Sequence, residues 1–268
     1  MSHRTLSQVY ERHQGWPADV RIAVGEHLCA PLGRTPGRCL FLGCATGIND
    51  AIPVARRAPK GSAIVASDLD PEMLRGLRRR AAGLAHLQVR RIDVTRDLGG
   101  LGEFDMVAML FVVHRLKRWR SILPPLTRLL GKGGSLYVSE FAGPSGIIYL
   151  SNERGGRGRD PVSRLLRRYF QLMDVSFRPE LKSTDIRPVL RKLGRRLRYR
   201  GYRDFRWPQH LTVRGAYHKI LRQVYAPFVG TPPTLQVLDR LRIEFGALWG
   251  HSVELVETIR IHRFARVG

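Results

Sequence analysis

Short apolar runs alternate with amphipathic stretches along the first half of the chain. The run Arg38-Cys39-Leu40-Phe41-Leu42 is apolar at consecutive positions and stops at a glycine, the pattern of a strand buried on both faces of a parallel sheet. Comparable runs occupy residues 63–67, 87–92, 104–111 and 134–141. Helical spacing fills the intervals. In residues 19–28, Val20, Ala23, Val24, His27 and Leu28 recur on one face behind Asp19 as a cap; residues 49–57 follow, then 71–82, opened by Asp70-Pro71, and 120–130, closed by Gly131. Strands and helices alternating at this pitch predict βαβ units and an α/β fold built on a doubly wound parallel sheet.

The pattern loosens outside that region. Residues 7–33 read as a polar start and a Trp16-Pro17 turn before the first helix. Beyond Gly143, residues 151–160 are glycine-rich and charged, as in a surface loop. Residues 160–173 and a segment from Ser183 to Gly194 read as helices, and 195–207 as a sixth strand. Residues 208–250 read as mainly helical around a break at Thr231 to Pro233, and 252–265 as a final alternating strand.

Composition changes the picture in two ways. The chain has 268 residues with 46 Lys+Arg against 22 Asp+Glu, a formal charge of +24, so its field attracts polyanions. Only six of the bases are lysine, which fits a GC-rich codon supply but leaves the scarcity of acids unaccounted for. The stretch from Arg187 to Arg206 holds nine bases and one acid, interleaved with Tyr199, Tyr202 and Phe205. Two readings stand: an RNA- or polyanion-binding surface, or an amphipathic element with a solvated arginine face and its aromatics in the core. Cys29, Cys39 and Cys44 form no CxxC pair and cannot all be joined, which points to a reducing, cytoplasmic setting. The N-terminal residues lack an apolar secretion core, and the longest apolar stretch, 106–113, is too short to cross a bilayer. The scattered histidines suggest no metal site.

The most informative segment is Gly43-Cys44-Ala45-Thr46-Gly47, a turn of small residues between the first strand and a helix. Such a turn lets a ligand approach the backbone and presents the unpaired N–H groups of a helix start. Asp68 ends the second apolar run, placed to accept hydrogen bonds from a ribose diol; Asp93 ends the third, placed to accept from an adenine amino group. Cys44 reads as a small packing residue within the turn.

These residues resemble the class I S-adenosylmethionine-dependent methyltransferases over roughly residues 38–142. GCATG is similar to that family's glycine loop, SDLDPEML to its ribose loop, RRIDVTRDL to its adenine loop and FDMVAMLFVVHRL to its fourth strand. Tyr10-Glu11-Arg12 with Gly15-Trp16-Pro17, and RPELKSTDIRPVLRKLG, FRWPQHLT and ETIRIHRFARV, resemble the trans-aconitate and ubiquinone-biosynthesis-like branch. The resemblance implies a Rossmann-like sheet of seven strands with the last antiparallel, and methyl transfer from S-adenosyl-L-methionine to an O, N, S or C nucleophile. It implies one methyltransferase domain: a helical lid (1–37), a cofactor-binding half (38–143), helical cap segments (144–182 and 208–250), and a final helix and strands completing the core (183–207 and 251–268). The cofactor contacts it implies are Tyr10, Arg12, Gly43, Cys44, Ala45, Gly47, Asp68, Leu69, Asp93, Val94 and Leu110, with His114 as candidate general base and Glu140 facing the substrate or pairing with an arginine.

Two departures stand out. Phe41 occupies the place of the family's first-strand acid, and Ala45 the place of its middle glycine, where a methyl group is poorly accommodated if φ is positive. The fourth-strand tip is Met109-Leu110-Phe111 in place of the Asp/Asn-Pro-Pro-aromatic tip of amino-methylating nucleic-acid enzymes. The expected activity is methyl transfer to a small or medium-sized metabolite. The alternatives are an RNA or polyanion methyltransferase, and a binding module that kept the fold and lost turnover.

Overall fold

The computed structural model describes residues 5–110, 112, 116, 119–141, 160–173, 196–221 and 232–267. The expected loop over 151–159 and helix over 183–194, together with His114, lie outside the described residues. Two compact units are present. The first comprises residues 1–140, 184–205 and 260–268; the second comprises 141–183 and 206–259.

Seven strands form one sheet in the order β3-β2-β1-β4-β5-β7-β6: β1 (Arg38–Leu42), β2 (Ala63–Asp68), β3 (Leu87–Arg91), β4 (Phe104–Met109), β5 (Leu130–Phe141), β6 (Leu197–Thr212) and β7 (Ser252–Arg266). β1 pairs in parallel with β2 and β4, β2 with β3, and β4 with β5. The strand order reverses after β3, so β1 and β4 diverge at their carboxyl ends, the place where open α/β sheets bind ligands. Along β7 the partners on β5 run backwards: His262 meets Glu140, Arg263 meets Ser135 and Arg266 meets Leu130. The partners on β6 do the same, Arg260 with Asp204, His262 with Tyr199 and Val267 with Arg196. β7 is thus antiparallel to both neighbours, as the resemblance implied.

Among the described residues the helices are α1 (Leu6–Gln14), α2 (Ala18–Cys29), α3 (Ala51–Ala55), α4 (Pro71–Ala81), α5 (Trp119–Arg128), α6 (Pro161–Leu172), α7 (Val213–Leu221) and α8 (Leu235–Phe245). α4 starts as its sequence dictates, with Asp70 accepting from the backbone N–H of Glu72 and Met73 and Pro71 in the first turn. The core on one face of the first unit joins Leu40, Leu42, Val107 and Met109 to Ile122, Leu123 and Leu126 of α5 and to Phe264 of β7.

Several boundaries differ from expectation, each for a physical reason. The polar start at residues 7–14 is a helix. Thr5 and Gln8 form a reciprocal capping box, and α1 is held to α4 by a two-pronged Arg80–Glu11 ion pair at 2.5–2.6 Å. Pro17, not Asp19, occupies the N-cap of α2; Asp19 sits inside the first turn. α5 ends at Arg128 and β5 begins at Leu130, with a register irregularity between the Phe104–Leu130 and Met106–Ser135 pairs. Gly131, Gly133 and Gly134 fall in that irregularity, which is why the glycine run reads as a break. β6 continues through Pro208 to Thr212, where a helical start was expected. It is last in the strand order, and an edge strand tolerates proline because the missing N–H faces away from the ladder.

The second unit has its own apolar centre. Leu165, Leu166 and Tyr169 of α6 pack with Ala216 and Ile220 of α7 and Leu241 of α8, and Arg168 reaches Glu244 at 3.0 Å. Among the described residues, no helix is long and apolar enough to cross a membrane.

Candidate active site

The turn after β1 is held in a conformation that only small residues accept. Gly43 (φ 65°) and Gly47 (φ 67°) lie in the left-handed region. A Cβ at Gly43 would collide with Val112 Cγ2, and one at Gly47 would lie 2.6 Å from Leu77 Cδ1. Ala45 (φ 51°) is the only non-glycine with positive φ among the described residues. The strain foreseen for an alanine here is therefore present, of order 1–2 kcal/mol.

A set of backbone and carboxylate bonds holds the strained turn. Cys44 N donates to Ser67 O at 2.9 Å, and Ser67 Oγ to Phe41 O at 2.8 Å. Asp68 accepts from Ala45 N with Oδ2 at 2.7 Å and from Asp70 N with Oδ1 at 2.9 Å. Phe41 is fully buried, so β1 contributes no carboxylate; Asp68, from the neighbouring strand, braces the turn. Each carboxylate oxygen keeps a second lone-pair direction, so this bracing is compatible with accepting from a ribose hydroxyl.

The ladder brings the second acid alongside. Asp68 pairs in register with Arg91, and Asp93 follows two residues later, so the two carboxylates stand on adjacent strand tips. Asp93 Oδ1 accepts from Thr95 Oγ1 at 2.6 Å and from Thr95 N at 2.9 Å. The Thr95 hydroxyl is the main cause that holds the Asp93 carboxyl below its usual range. Leu69 is half exposed between these tips. Val94 and Thr95 border a cavity of about 620 Å³ whose other walls include Leu98, Ile122, Pro125 and Arg128. That cavity lies on the Asp93 side and does not include the glycine turn. Thr46 is buried and its Oγ1 has no hydrogen-bond partner. A turn whose two glycines leave no room for a Cβ, a buried unpartnered hydroxyl on Thr46 and two carboxylates on the adjacent strand tips fit an adenosine-bearing ligand.

The remaining candidates separate. Leu110 is buried at the β4 tip. Tyr10 is half-buried and Arg12 exposed on α1. The N-terminal segment reaches the turn through Trp16, whose backbone N–H donates to Asn49 Oδ1 at 2.9 Å. Burial pushes the Cys44 thiol well above its usual range, with the charges of Asp50 and Asp68 adding to it, consistent with a packing role. Among the described residues Glu140 is held by a histidine: its Oε1 accepts from His262 Nε2 at 2.9 Å.

Two buried ionisable residues beside the candidate site escaped the sequence reading. Asp50, 5% exposed, caps α3 by accepting from Ala51 N at 2.6 Å. Burial pushes its carboxyl up to about 7. The signal was present, an Asp just ahead of a helix start. His262 is 2% exposed, and its Nδ1 lies 3.2 Å from Tyr199 Oη. No local pattern pointed to it.

Comparison with known proteins agrees with this geometry. Residues 40–136 match a family profile described as "Methyltransferase domain". A demethylmenaquinone methyltransferase of Thermus thermophilus is 35% identical over 127 residues, covering 44% of this chain and 55% of that protein. An uncharacterised methyltransferase of Mycobacterium tuberculosis is 30% identical over 133 residues, covering 49% and 64%. The chain thus spans about half to two thirds of the length of the curated relatives it matches. Among solved structures, a Bacillus halodurans protein assigned as a methyltransferase superposes with a TM-score of 0.57 at 15% identity, covering 92% of this chain and 99% of that one. Phosphoethanolamine N-methyltransferase 2 of Haemonchus contortus, in complex with S-adenosyl-L-methionine, gives 0.53 at 14% identity, covering 98% and 57%. The match to a methyltransferase domain thus runs from β1 into β5 of the sheet.

Proposed function

We propose that the protein is an S-adenosyl-L-methionine-dependent methyltransferase acting on a small or medium-sized metabolite. One observation carries the reading: a turn whose glycines at 43 and 47 leave no room for a Cβ, with carboxylates at the tips of the next two strands in the order the family uses. When bound, S-adenosyl-L-methionine supplies an electrophilic methyl group, so the protein has mainly to bind, orient and exclude water. Gly43, Ala45 and Gly47 give close backbone approach; Asp68 takes the ribose; Asp93, Leu69 and Val94 surround the base; Cys44 and Leu110 pack the floor; Tyr10 and Arg12 cover the methionine end. The relative named for demethylmenaquinone supports a small acceptor.

The polyanion reading draws less support. Phe205 is buried, one face of Tyr202 lies under the Arg260 guanidinium at 4.0 Å, and Tyr199 packs on Phe264 at 5.1 Å, so each of the three aromatics interleaved with the arginines already has a partner or a place in the core.

The test is calorimetry with S-adenosyl-L-methionine and S-adenosylhomocysteine, followed by mass spectrometry of a metabolite extract incubated with methyl-labelled cofactor. Saturable binding and a labelled small molecule are expected. Absence of binding to either compound would overturn the reading in favour of a fold that has lost its ligand.

A further inference from the structure

The carboxylate at the β5 tip belongs to a unit assembled from three strands. Glu140 Oε1 lies 2.9 Å from His262 Nε2 on β7, and His262 Nδ1 lies 3.2 Å from Tyr199 Oη on β6. The His262 side chain is 3% exposed, Glu140 19% and Tyr199 46%, so the unit runs from a shielded carboxylate to a wet phenol. An ionised carboxylate can only accept, so Nε2 carries the proton it shares with Glu140. In a neutral ring Nδ1 then accepts, and the Tyr199 hydroxyl donates to it. The phenol thereby selects the tautomer that points an N–H at the carboxylate, as a third group does for a catalytic histidine elsewhere. Around the ring stand Tyr202, with centroids 5.8 Å apart, and Arg260, whose guanidinium is held by Asp204 at 2.8 and 3.0 Å.

The register places this carboxylate beside the reaction centre expected for the fold. Glu140 lies two residues beyond Val138, the partner of Met109, which puts it next to the tip of β4. In the strand order it is two strands from the glycine turn, about 10 Å at the usual strand spacing. Nothing in the cofactor contacts uses it.

We infer that Glu140, positioned by His262 and Tyr199, is the general base that takes a proton from the methyl acceptor, and that the acceptor is protic at its nucleophilic atom. The inference rests on the methyltransferase reading. The acceptor's O–H or N–H donates to Glu140. As that atom bonds to the methyl carbon, the carbon–sulfur pair stays on sulfur and the proton passes to the carboxylate, which returns it to solvent after product leaves. Glu140 is the catalytic residue; His262 and Tyr199 are positioning residues that keep the carboxylate aimed.

The experiment gives the full chain methyl-labelled S-adenosyl-L-methionine with hydroquinone, benzylamine or dimethyl sulfide, alongside calorimetric titration with the cofactor alone. Label is expected in hydroquinone or benzylamine, the two arms separating hydroxyl from amine acceptors, and not in dimethyl sulfide, which needs no base. Glu140→Gln should slow transfer roughly 10²- to 10⁴-fold with cofactor affinity unchanged. It should also abolish the limb of the pH profile on which the rate rises with pH. Tyr199→Phe, which keeps the ring, and His262→Phe should cost about 10-fold in kcat with the acceptor KM and the cofactor affinity unchanged, since only the aim of the carboxylate is lost. Three results would overturn the inference while sparing the methyltransferase reading: a Glu140→Gln rate equal to the parent's, label in dimethyl sulfide alone, or cofactor binding with no label in any of the three. No cofactor binding at all would overturn both.

Discussion

The two ends of the sheet satisfy their ionisable groups in opposite ways. At the β1–β2–β3 end, carboxylates are committed to nearby backbone: Asp68 to Ala45 N and Asp70 N, Asp50 to Ala51 N, Asp93 to Thr95. At the β5–β7–β6 end, side chains are committed to one another across long stretches of chain, Glu140 to His262 over 122 residues and Asp204 to Arg260 over 56. The first arrangement shapes backbone around a ligand and leaves lone pairs for it. The second fixes the direction of a side chain. On the function proposed above, the first end binds the cofactor and the second holds the proposed base still.

The largest expected effect attacks the binding end. Gly47→Ala would place a methyl 2.6 Å from Leu77 Cδ1 at a φ of 67°. Overpacking and left-handed strain together should cost about 2–4 kcal/mol in urea unfolding. A loss below 1 kcal/mol would show that α4 yields easily there. Next, Asp68→Ala should weaken S-adenosyl-L-methionine binding roughly 10- to 100-fold, the scale of a charge-assisted pair. Unchanged affinity by calorimetry would mean that the ribose lies elsewhere.

The pH dependence of stability separates the two ends by sign. Asp50 is pushed up to about 7 from 3.8, so the folded state keeps a proton that the unfolded chain releases. The stability it provides is complete below pH 3.8 and is lost as pH rises to 7. His27, on α2, packs against Tyr137 of β5 and Phe205 of β6, and is lowered to about 4 from 6.5 by burial and then by the charges of Arg203 and Arg263. Its contribution is complete above pH 6.5 and is lost as pH falls to 4. Each changes stability by at most about 1.4 kcal/mol per pH unit, and between pH 4 and 6.5 they oppose. Asp50→Asn should therefore leave stability climbing with pH across that window, and His27→Gln should leave it falling. Denaturant midpoints that move in parallel in both variants would contradict the opposition.

The smallest effect tests the departure at the turn. Ala45→Gly should relieve positive-φ strain, less what the freer unfolded chain takes back, for a net gain of about 0.5–1 kcal/mol in the urea midpoint. A loss of stability would mean that the Ala45 methyl makes a contact worth more than the strain it causes.

What the sequence made legible follows the same division. The glycine turn, Asp68 and Asp93 were readable because their spacing along the chain is what places them on neighbouring strand tips. The helix at 6–14 was missed although its capping box was in view, because its apolar positions are few and its anchoring comes from Arg80 on α4. Glu140 was found as a residue at a strand end, but its partners were not. His262 sits in an alternating strand indistinguishable from any other, and only pairing between β5 and β7 brings them together. Local chemistry leaves a local signature, whereas a contact made by topology leaves none.

The outermost strand has a consequence for the molecule in solution. β6 closes the strand order with one edge lacking a neighbour among the described residues, and Arg198, Arg200, Arg203 and Arg206 are exposed along it. A bare strand edge is a template for another chain's strand, and a row of like charges deters such an approach. On that physical ground the exposed arginines of β6 work against edge-to-edge pairing with another copy, whether or not any polyanion is ever met.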